Sequence, residues 1–388
     1  MNEDRTHNFP RTTYAHFGKR GVANIAFFDA TPVWSGGANR ILFLAKELSR
    51  SGSKILIICL PGSKLSEESK KNELEVINIK PYSDIGLFSF FRVLSALKKY
   101  KIDIVDINSP KFYWIGVYAA KILGIKVILT RNVPYRKKGL KRFLNKIFLY
   151  SHCNTVISLS NRIKTELEND YKIKNVVLIY DGLFSEVKKI TNDEILDIRK
   201  QYGIRENDIV FSMIGRIEEN KGQIICVDAI SDVCKIYKNI KLLIVGFGDA
   251  NYTAKLKARI EEKKLDNIVI LTGFVDNISK IFNVIDVLIQ PSLYENIPIT
   301  VLEACGLEKP VVGSNVGGIP EIIKNGINGY LFSAGDSRSL YESIIKLLKS
   351  NRKSMGKNGF EIVKEKFSKE KMLENYQKLL NDILKGMN

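Results

Sequence analysis

Two cations, Arg216 and Lys221, follow an apolar run and lead into an amphipathic helical pattern. A glycine precedes the first cation, another follows the second, and four residues lie between the cations. Arginine offers a planar fork of donors and lysine a compact charge, and fixed cations beside a helix N-terminus can stabilise a departing diphosphate as a metal ion would. The spacing is consistent with a diphosphate site. A solvated charged loop is the alternative, because two glutamates lie between the cations.

Two carboxylates, Glu295 and Glu303, flank a proline, Pro298, that suits the first turn of a helix. Residues eight apart do not share one side of a continuous helix, but with Glu295 in the preceding loop both side chains can face one ligand. Ionised carboxylates accept hydrogen bonds from paired hydroxyls, so a ribose or another sugar is the natural target. In the alternative interpretation, Glu295 caps the helix and Glu303 is solvated.

A glycine pair, Gly36-Gly37, follows the first apolar run and opens an amphipathic helix. Adjacent glycines let a ligand approach the backbone, and a phosphate suits a helix N-terminus. A plain strand-to-helix turn is the competing interpretation. Neither the dinucleotide-binding G-x-G-x-x-G spacing nor a Walker A sequence occurs, which weakens the oxidoreductase and ATPase interpretations.

Apolar runs alternate with amphipathic segments along the chain, which predicts an α/β protein with two doubly wound domains. Ligands of such sheets bind beyond the carboxyl ends of the strands, so a cleft between the domains is the expected site. The strands predicted in the first series are 24–30, 54–60, 75–79, 103–108, 126–130, 155–159 and 176–180. Those predicted in the second series are 208–215, 240–246, 268–272, 286–290, 311–314 and 329–332.

The composition argues against several other classes of protein. The five cysteines among 388 residues are scattered and form no C-x-x-C, which argues against a disulfide framework or a zinc site and fits a reducing cytosol. Only three histidines argue against a catalytic histidine triad. The sequence has no charge-free run of about 18 apolar residues, so we expect no membrane span. The polar N-terminus does not resemble a secretory signal.

The net charge of +18 is concentrated in the first half of the chain. Residues 1–190 carry 32 Lys and Arg against 16 Asp and Glu, whereas residues 191–388 carry 28 against 26. We therefore expect an anionic partner that meets the first half. Lipid headgroups, a phosphorylated acceptor and nucleic acid are the candidates, and the absence of a nucleic-acid recognition motif makes the last the weakest.

These motifs occur in a characteristic order, and residues 291–332 read PSLYENIPITVLEACGLEKPVVGSNVGGIPEIIKNGINGYLF. Together they resemble the retaining family 4 glycosyltransferases of the GT-B fold, from about residue 24 to near the end of the chain. The resemblance implies two Rossmann-like domains facing each other across a cleft, a nucleotide diphosphate sugar as donor, and no required metal or other cofactor.

The resemblance also implies a role for each motif. Arg216 and Lys221 match the diphosphate-binding cations, Glu295 lies near the donor sugar, and these three are the predicted catalytic residues. Glu303 matches the glutamate that binds the nucleotide ribose. The backbone of residues 272–275 matches the segment that pairs with the nucleobase. The remaining predicted donor-binding residues are Gly36, Gly37, Gly215, Phe274, Val275, Asn296, Ile297 and Pro298.

One position departs from the family pattern. Many members carry a histidine after the fifth strand of the N-terminal domain, but residues 129–134 read LTRNVP here. Arg131 or Asn132 is the predicted substitute and would contact the donor sugar or the acceptor. His152 is interpreted as a surface residue at a helix end.

Residues 131–146 carry seven cations and no acid, and five apolar residues within this segment follow the spacing of one helix face. This face either docks on the N-terminal sheet, with the cations merely solvated, or forms an interfacial helix attracted to anionic lipid. The residues predicted to contact a membrane are Arg136, Lys137, Lys138, Lys141 and Arg142.

The domain boundaries follow from the two series of strands and from the resemblance. We expect a disordered polar leader over 1–20, an acceptor-binding domain over 21–187 and a nucleotide-sugar-binding domain over 188–370. A final helix over 371–388 is a candidate for returning to the N-terminal domain.

The predicted function is transfer of a hexosyl or N-acetylhexosaminyl group, from a UDP-sugar rather than a GDP-sugar, to a hydroxyl of a lipid-linked glycan. The enzyme would retain the anomeric configuration and would act in surface polysaccharide biosynthesis at the inner face of the cell membrane. The alternatives are a nucleotide-sugar epimerase or hydrolase of the same fold and a non-catalytic protein that binds nucleotide sugars.

Overall fold

The computed structural model describes residues 23–81, 86–131, 139–184 and 188–386, except for the side chains of 139–143. The predicted leader lies outside these residues. The chain forms two compact units. The N-terminal unit comprises the described residues up to 184 together with those from 368 onward, and the C-terminal unit comprises those from 188 to 367.

The described residues of the N-terminal unit form a parallel sheet of seven strands in the order β3-β2-β1-β4-β5-β6-β7. The strands are β1 (Ile25–Asp29), β2 (Ile55–Cys59), β3 (Glu75–Asn78), β4 (Ile104–Ile107), β5 (Lys126–Arg131), β6 (Thr155–Ser158) and β7 (Val176–Leu178). The helices between them are α1 (Gly36–Arg50), α2 (Lys64–Lys71), α3 (Leu87–Lys99), α4 (Tyr113–Ile122), α5 (Gly139–Phe148) and α6 (Asn161–Asn169).

The described residues of the C-terminal unit repeat this plan with six parallel strands in the order β10-β9-β8-β11-β12-β13. The strands are β8 (Ile209–Ile214), β9 (Ile240–Val245), β10 (Val269–Gly273), β11 (Val287–Gln290), β12 (Val311–Ser314) and β13 (Gly329–Phe332). The helices are α7 (Asn192–Gln201), α8 (Gln223–Ile236), α9 (Ala250–Glu262), α10 (Ile278–Val284), α11 (Ile299–Gly306), α12 (Ile319–Ile322), α13 (Ser337–Leu348) and α14 (Arg352–Lys366).

Both sheets arise because their strands are almost entirely apolar and are therefore buried on both faces. Each predicted strand appears within a few residues of its expected bounds, and two doubly wound units are present. In each sheet the strand order reverses beside the first strand, at β1/β4 and at β8/β11. Such a reversal leaves a crevice beyond the carboxyl ends of the two strands, which is where ligands of these folds bind.

The last helix, α15 (Lys369–Leu384), belongs to the N-terminal unit. Its apolar face joins the core that α1 forms with the sheet, and the Tyr376 ring stacks on Phe27 at 6.2 Å between centroids. The Tyr376 hydroxyl donates to Asp106 Oδ2 at 2.8 Å, inside the core. At the start of the helix, a Cβ on Gly182 would lie 2.5 Å from Lys369 Cα, so this close approach requires glycine.

None of the helices in the part of the chain that the structure describes combines the length and the apolar character needed to cross a membrane.

Candidate active site

The two charged motifs of the C-terminal unit follow strands at the point where the strand order of the sheet reverses. Gly215 and Arg216 directly follow β8, and the loop that contains Glu295 follows β11, the strand paired beside β8. Parallel strands end at the same edge of a sheet, so residues far apart in sequence meet there. This edge is therefore the candidate active site.

Lys221 and Glu295 form an ion pair at this edge, with Nζ 2.6 Å from Oε2. The side chains are 22% and 17% exposed, so the pair is shielded from solvent but remains accessible to a ligand. Ser292 Oγ donates to Glu295 Oε2 at 3.2 Å and itself accepts from Gln290 Nε2 at 2.8 Å. A chain of hydrogen bonds from the end of β11 thus orients the Glu295 carboxylate.

Backbone contacts hold the two motif loops together. The Leu293 N–H donates to the Asn220 carbonyl at 2.8 Å, and Asn220 Nδ2 donates to the Tyr294 carbonyl at 3.0 Å. Gly222 lies between Lys221 and α8 with a φ of +72°, and a Cβ there would lie 2.2 Å from the Pro291 carbonyl oxygen. The glycine after Lys221 is therefore required for the close approach that places Lys221 against Glu295.

A second glycine pair, Gly317-Gly318, packs against the loop over residues 295–297. The sequence analysis did not predict this contact. Gly317 has a φ of +58°, and a Cβ there would lie 1.7 Å from the Glu295 carbonyl oxygen. The Gly318 N–H donates to the Asn296 carbonyl at 2.9 Å. A Cβ on Gly318 would lie 2.3 Å from Ile297 Cδ1. Two adjacent glycines just after β12 were the available signal.

Arg216 is not part of this ion pair. Its side chain is 76% exposed and contacts Glu218, with Nη2 3.0 Å from Oε1. The carbonyl of Arg216 accepts from Gln223 Nε2 at 2.8 Å, which ties the loop to the start of α8. The contact with Glu218 is the one expected from the solvated-loop interpretation. The diphosphate role of Arg216 stays a prediction.

Glu303 lies on α11 and is only 7% exposed, so it is not the solvated helix residue of the alternative interpretation. Glu295 does not cap α11 either, because Pro298 occupies the N-cap and the helix has no side-chain cap. Each alternative for the two glutamates is therefore wrong. The ribose role of Glu303 itself stays a prediction.

The segment predicted to pair with the nucleobase begins in the last residues of β10, which ends at Gly273. It continues through Phe274 and the half-buried Val275. The Gly246 N–H donates to the Gly273 carbonyl at 2.8 Å, which aligns the ends of β9 and β10. Phe274 and Phe247 are each 67% exposed and pack edge to face, with ring centroids 5.9 Å apart. Phe247 was missed because a single aromatic residue between two glycines has no distinctive spacing.

In the N-terminal unit, Gly36 and Gly37 form the first turn of α1, after the N-cap Ser35. Ser35 Oγ accepts from the Ala38 N–H at 3.2 Å. The first turn of α1 is partly exposed beyond the carboxyl end of β1. This position is compatible with the predicted phosphate contact, which stays a prediction.

Arg131 is buried within the N-terminal unit. Its guanidinium donates to the Tyr150 hydroxyl, lies 3.9 Å from Glu166 Oε1 and stands over the Tyr171 ring at 5.8 Å. The geometry therefore favours a structural role over the predicted contact with sugar or acceptor. Asn132 and the predicted membrane residues 136–138 lie outside the described residues, as do the side chains of Lys141 and Arg142.

His152 ends a short 3₁₀ turn and is partly exposed, as interpreted from the sequence. Its ring nitrogens lie 3.1 and 3.3 Å from Lys121 Nζ. Partial burial and the nearby Lys121 charge lower the pKa of this imidazole. His152 is therefore predominantly neutral near pH 7.

A buried polar cluster underlies α1, and sequence reasoning did not predict it. Arg40, one turn into α1, donates to Asn108 and lies 3.5 Å from Asp181, measured from Nε to Oδ1. Asp106 accepts from Asn108 at 3.1 Å and from Thr130 at 2.7 Å. Burial raises the pKa of Asp181 to about 6, and the Arg40 charge only partly opposes this shift. The cluster ties α1 to β4 and to residue 181.

Two family models match the chain. Residues 34–184 match the model described as Glycosyltransferase Family 4, and residues 194–362 match the model described as Glycosyl transferases group 1.

Three relatives are similar over most of their length. An uncharacterized glycosyltransferase of Methanocaldococcus jannaschii is 30% identical over 69% of this chain and 72% of that protein. An N-acetyl-alpha-D-glucosaminyl L-malate synthase of Bacillus anthracis is 26% identical over 81% and 83% of the two chains. The UDP-Gal:alpha-D-GlcNAc-diphosphoundecaprenol alpha-1,3-galactosyltransferase of Escherichia coli is 25% identical over 71% and 76%.

Solved structures agree with this result. A glycosyltransferase from Rickettsia africae superposes with a TM-score of 0.82 at 25% identity, covering 94% of this chain and 99% of that one. Anabaena HepE in complex with UDP gives a TM-score of 0.82 at 20% identity, covering 92% and 100%. Fold and site together define a glycosyltransferase of the GT-B fold. The chain belongs to glycosyltransferase family 4, as its motifs predict.

Proposed function

We propose that this glycosyltransferase transfers a hexosyl or N-acetylhexosaminyl group from a UDP-sugar to a hydroxyl of a lipid-linked glycan, with retention of configuration. Its role in polysaccharide or glycoconjugate biosynthesis follows from its family and relatives. The choice of UDP and of a lipid-linked acceptor is supported by the name of the Escherichia coli relative. The observation that carries the proposal is the Lys221–Glu295 ion pair at the sheet's reversal point.

The cations of the site would stabilise the leaving group. Lys221 Nζ has three donors, so it can keep one hydrogen bond to Glu295 and still donate to a phosphate oxygen. Arg216, which is well exposed, would add a second cation. With this fixed positive charge we propose that transfer does not depend on a divalent metal.

Transfer would take place on one face of the sugar. The bond between the anomeric carbon and the β-phosphate oxygen breaks, and the acceptor oxygen forms its bond from the same side. The acceptor proton passes to the departing phosphate oxygen, so no protein base and no covalent intermediate is needed. Glu295, oriented by Ser292, would position the sugar hydroxyls during this step.

The nucleotide would be held by the remaining predicted residues. Glu303, buried on α11, would accept hydrogen bonds from both ribose hydroxyls, and burial strengthens such contacts. The backbone beside Phe274 would meet the base. We further propose that the enzyme is a cytoplasmic protein bound peripherally at the inner face of the cell membrane.

A donor and acceptor panel tests the function. The protein is incubated with UDP- and GDP-linked glucose, galactose and N-acetylglucosamine, with and without a membrane lipid extract, and with and without EDTA. We expect sugar transfer that requires the extract, prefers one UDP-sugar and survives EDTA. Proton NMR of the product then reports the anomeric configuration.

The same panel separates the alternatives. Release or inversion of the sugar without any acceptor would indicate a hydrolase or an epimerase. Nucleotide-sugar binding without turnover under any condition would indicate a non-catalytic protein. Transfer from GDP-sugars alone would contradict the proposed donor.

A further inference from the structure

The sheet of the N-terminal unit is covered by two different helical layers. Strand residues alternate between its faces, so that Ala26 and Phe28 pack with α3 and α4, whereas Ile25 and Phe27 pack with α1 and α15. The end of α5 joins the first group through Tyr118, whose hydroxyl donates to the Phe148 carbonyl at 2.8 Å. Helix α6 also packs on this face and carries two cations and two acids. Helices α3, α4 and α5, without α6, are called the α3–α5 layer below.

Large apolar side chains are exposed on the α3–α5 layer. Phe88 and Phe91 on α3 are 72% and 62% exposed. The exposed large apolar residues of the layer, among its described side chains, are Leu87, Phe88, Phe91, Ile122, Leu144, Ile147 and Phe148. On the described helices α1, α2 and α15, only Leu384 is exposed to a similar extent. Clustered exposure of this kind marks an interaction surface, whereas single apolar residues need no explanation.

The same layer contains no Asp or Glu. Its cations are Arg92, Lys98, Lys99, Lys121, Lys141, Arg142 and Lys146. By contrast, α1, α2 and α15 together contain nine cations and six acids. Across residues 86–153 there are fourteen Lys and Arg and two acids, Asp103 and Asp106.

Neither of these acids offsets the charge of the layer. Asp106 is fully buried in the core, and Asp103 accepts a hydrogen bond from the Asn24 N–H at 2.7 Å just before β4. The described side chains of the layer thus include five exposed cations, at positions 92, 98, 99, 121 and 146, beside the seven exposed apolar residues, and no acid.

Exposed apolar and cationic residues both occur on α3. Leu87, Phe88 and Phe91 occupy its first turns, the exposed Arg92 follows Phe91, and the exposed Lys98 and Lys99 occupy its last turn. An interfacial helix needs both kinds of residue, because its apolar side chains enter the acyl boundary while its cations meet the headgroups. Aromatic residues interleaved with cations would instead favour stacked nucleic-acid bases.

We propose that the α3–α5 layer binds an anionic lipid bilayer and that Leu87, Phe88 and Phe91 enter it. This surface extends beyond the basic segment 131–146. Its most exposed apolar residues, Leu87 and Phe88, lie on α3, outside that segment. The inference rests on the proposed lipid-linked acceptor, but vesicle binding can be measured without any donor or acceptor.

Apolar insertion is tested with vesicles of phosphatidylglycerol and phosphatidylcholine. We expect the purified protein to co-sediment with anionic vesicles and to keep a bound fraction at high salt. The variant Phe88→Ser/Phe91→Ser should lose that salt-resistant fraction, with an affinity at least about tenfold lower. The matched control is Leu196→Ser/Ile236→Ser, which removes two well-exposed apolar residues from the C-terminal unit and should bind as wild type does.

The electrostatic part is tested by removing two cations from the layer. Lys98→Gln/Lys99→Gln should weaken binding at low salt by about 25-fold, since each of the two cations near an anionic surface contributes on the order of 1 kcal/mol, a factor of about five. Lys70→Gln/Lys378→Gln removes two exposed cations from α2 and α15 and should have a much smaller effect. All four variants should titrate UDP as wild type does, and their circular dichroism and urea unfolding should match wild type, which excludes misfolding of either unit.

The depth to which residue 88 enters the bilayer is measured with a single tryptophan. Phe88→Trp is made in a Trp34→Phe/Trp114→Phe background, which removes the two native tryptophans. On anionic vesicles its emission should shift to the blue and be quenched by brominated acyl chains. A tryptophan placed at Leu196 in the same background should show neither change.

Several results would overturn the inference. These are equal binding to neutral and anionic vesicles, no quenching at residue 88, equal effects of the layer variants and their controls, or tighter binding to duplex DNA than to vesicles. Normal vesicle binding with no transfer to any lipid-linked glycan would leave the bilayer surface standing and refute the proposed acceptor. Transfer to a lipid-linked glycan without vesicle binding would support the proposed acceptor and refute the bilayer surface.

Discussion

Lys221 and Glu295 are 74 positions apart in the chain, yet their charged atoms lie 2.6 Å apart at the carboxyl edge of the C-terminal sheet. One follows β8 and the other follows β11, and these strands are neighbours although two strands separate them in sequence. The pair thus joins the predicted diphosphate cation to the predicted sugar carboxylate. Each of the first three predictions depends on this arrangement.

Removing the diphosphate cations should abolish most turnover while preserving the fold. A preorganised donor to developing charge is worth about 2.7–4 kcal/mol, so Lys221→Ala and Arg216→Ala should each lower kcat by about 100-fold or more. The readouts are initial rates and circular dichroism. Lys235→Ala, on the exposed side of α8, is the control and should leave the rate unchanged. Near-normal rates in both active-site variants would refute the diphosphate assignment.

The two glutamates should separate kinetically. Glu303→Gln should weaken binding of free nucleotide and raise KM, because a ribose contact exists before and during reaction. Glu295→Gln should mainly lower kcat, because a contact to the reacting sugar matters most in the transition state. Calorimetric titration of UDP against both variants measures the difference. Wild-type nucleotide affinity in Glu303→Gln would exclude the ribose role.

Gly222→Ala should impair activity through backbone displacement. The new Cβ would lie 2.2 Å from the Pro291 carbonyl oxygen, so the loop that holds Lys221 must move away from Glu295. We expect a fall in kcat/KM of at least about tenfold, since misplacement by about 1 Å costs up to 100-fold. Gly326→Ala is the matched control, because Gly326 has a similar φ of +75° but open space around its Cβ position. Equal activity in the two variants would contradict the loop geometry.

The buried Asp181 predicts how stability depends on pH. Its pKa of about 6 lies above the ordinary value of 3.8, so the folded state binds the proton more tightly than the unfolded state. The resulting stability is present in full below pH 4 and is lost as pH rises through 6. A shift of this size corresponds to about 3 kcal/mol at most.

The measurement is urea unfolding at several pH values, followed by tryptophan fluorescence, because both tryptophans belong to the N-terminal unit. The free energy of unfolding of wild type, relative to that of Asp181→Asn, should fall between pH 4 and pH 6.5. A constant difference across that range would show that Asp181 titrates as an ordinary carboxyl.

The local pattern of the sequence was sufficient to predict the thirteen strands, the two doubly wound units and the motif residues. Apolar runs bounded by amphipathic segments define buried parallel strands whatever their neighbours are. The family resemblance added roles for Arg216, Lys221, Glu295 and Glu303, because these depend on residue type and order alone.

Only the tertiary structure decided which of these residues meet and which faces stay exposed. Strand order places β11 beside β8, and this brings Glu295 to Lys221, buries Glu303 and brings the Gly317 backbone against the loop. The sequence predicted that Arg131 contacts the sugar or the acceptor, but its guanidinium is buried against Tyr150 and Tyr171. Helix α3 has the periodicity of a docked amphipathic helix, yet Phe88 and Phe91 point away from the core. Periodicity specifies that a face is buried, but contacts between distant segments depend on a strand order that no local pattern encodes.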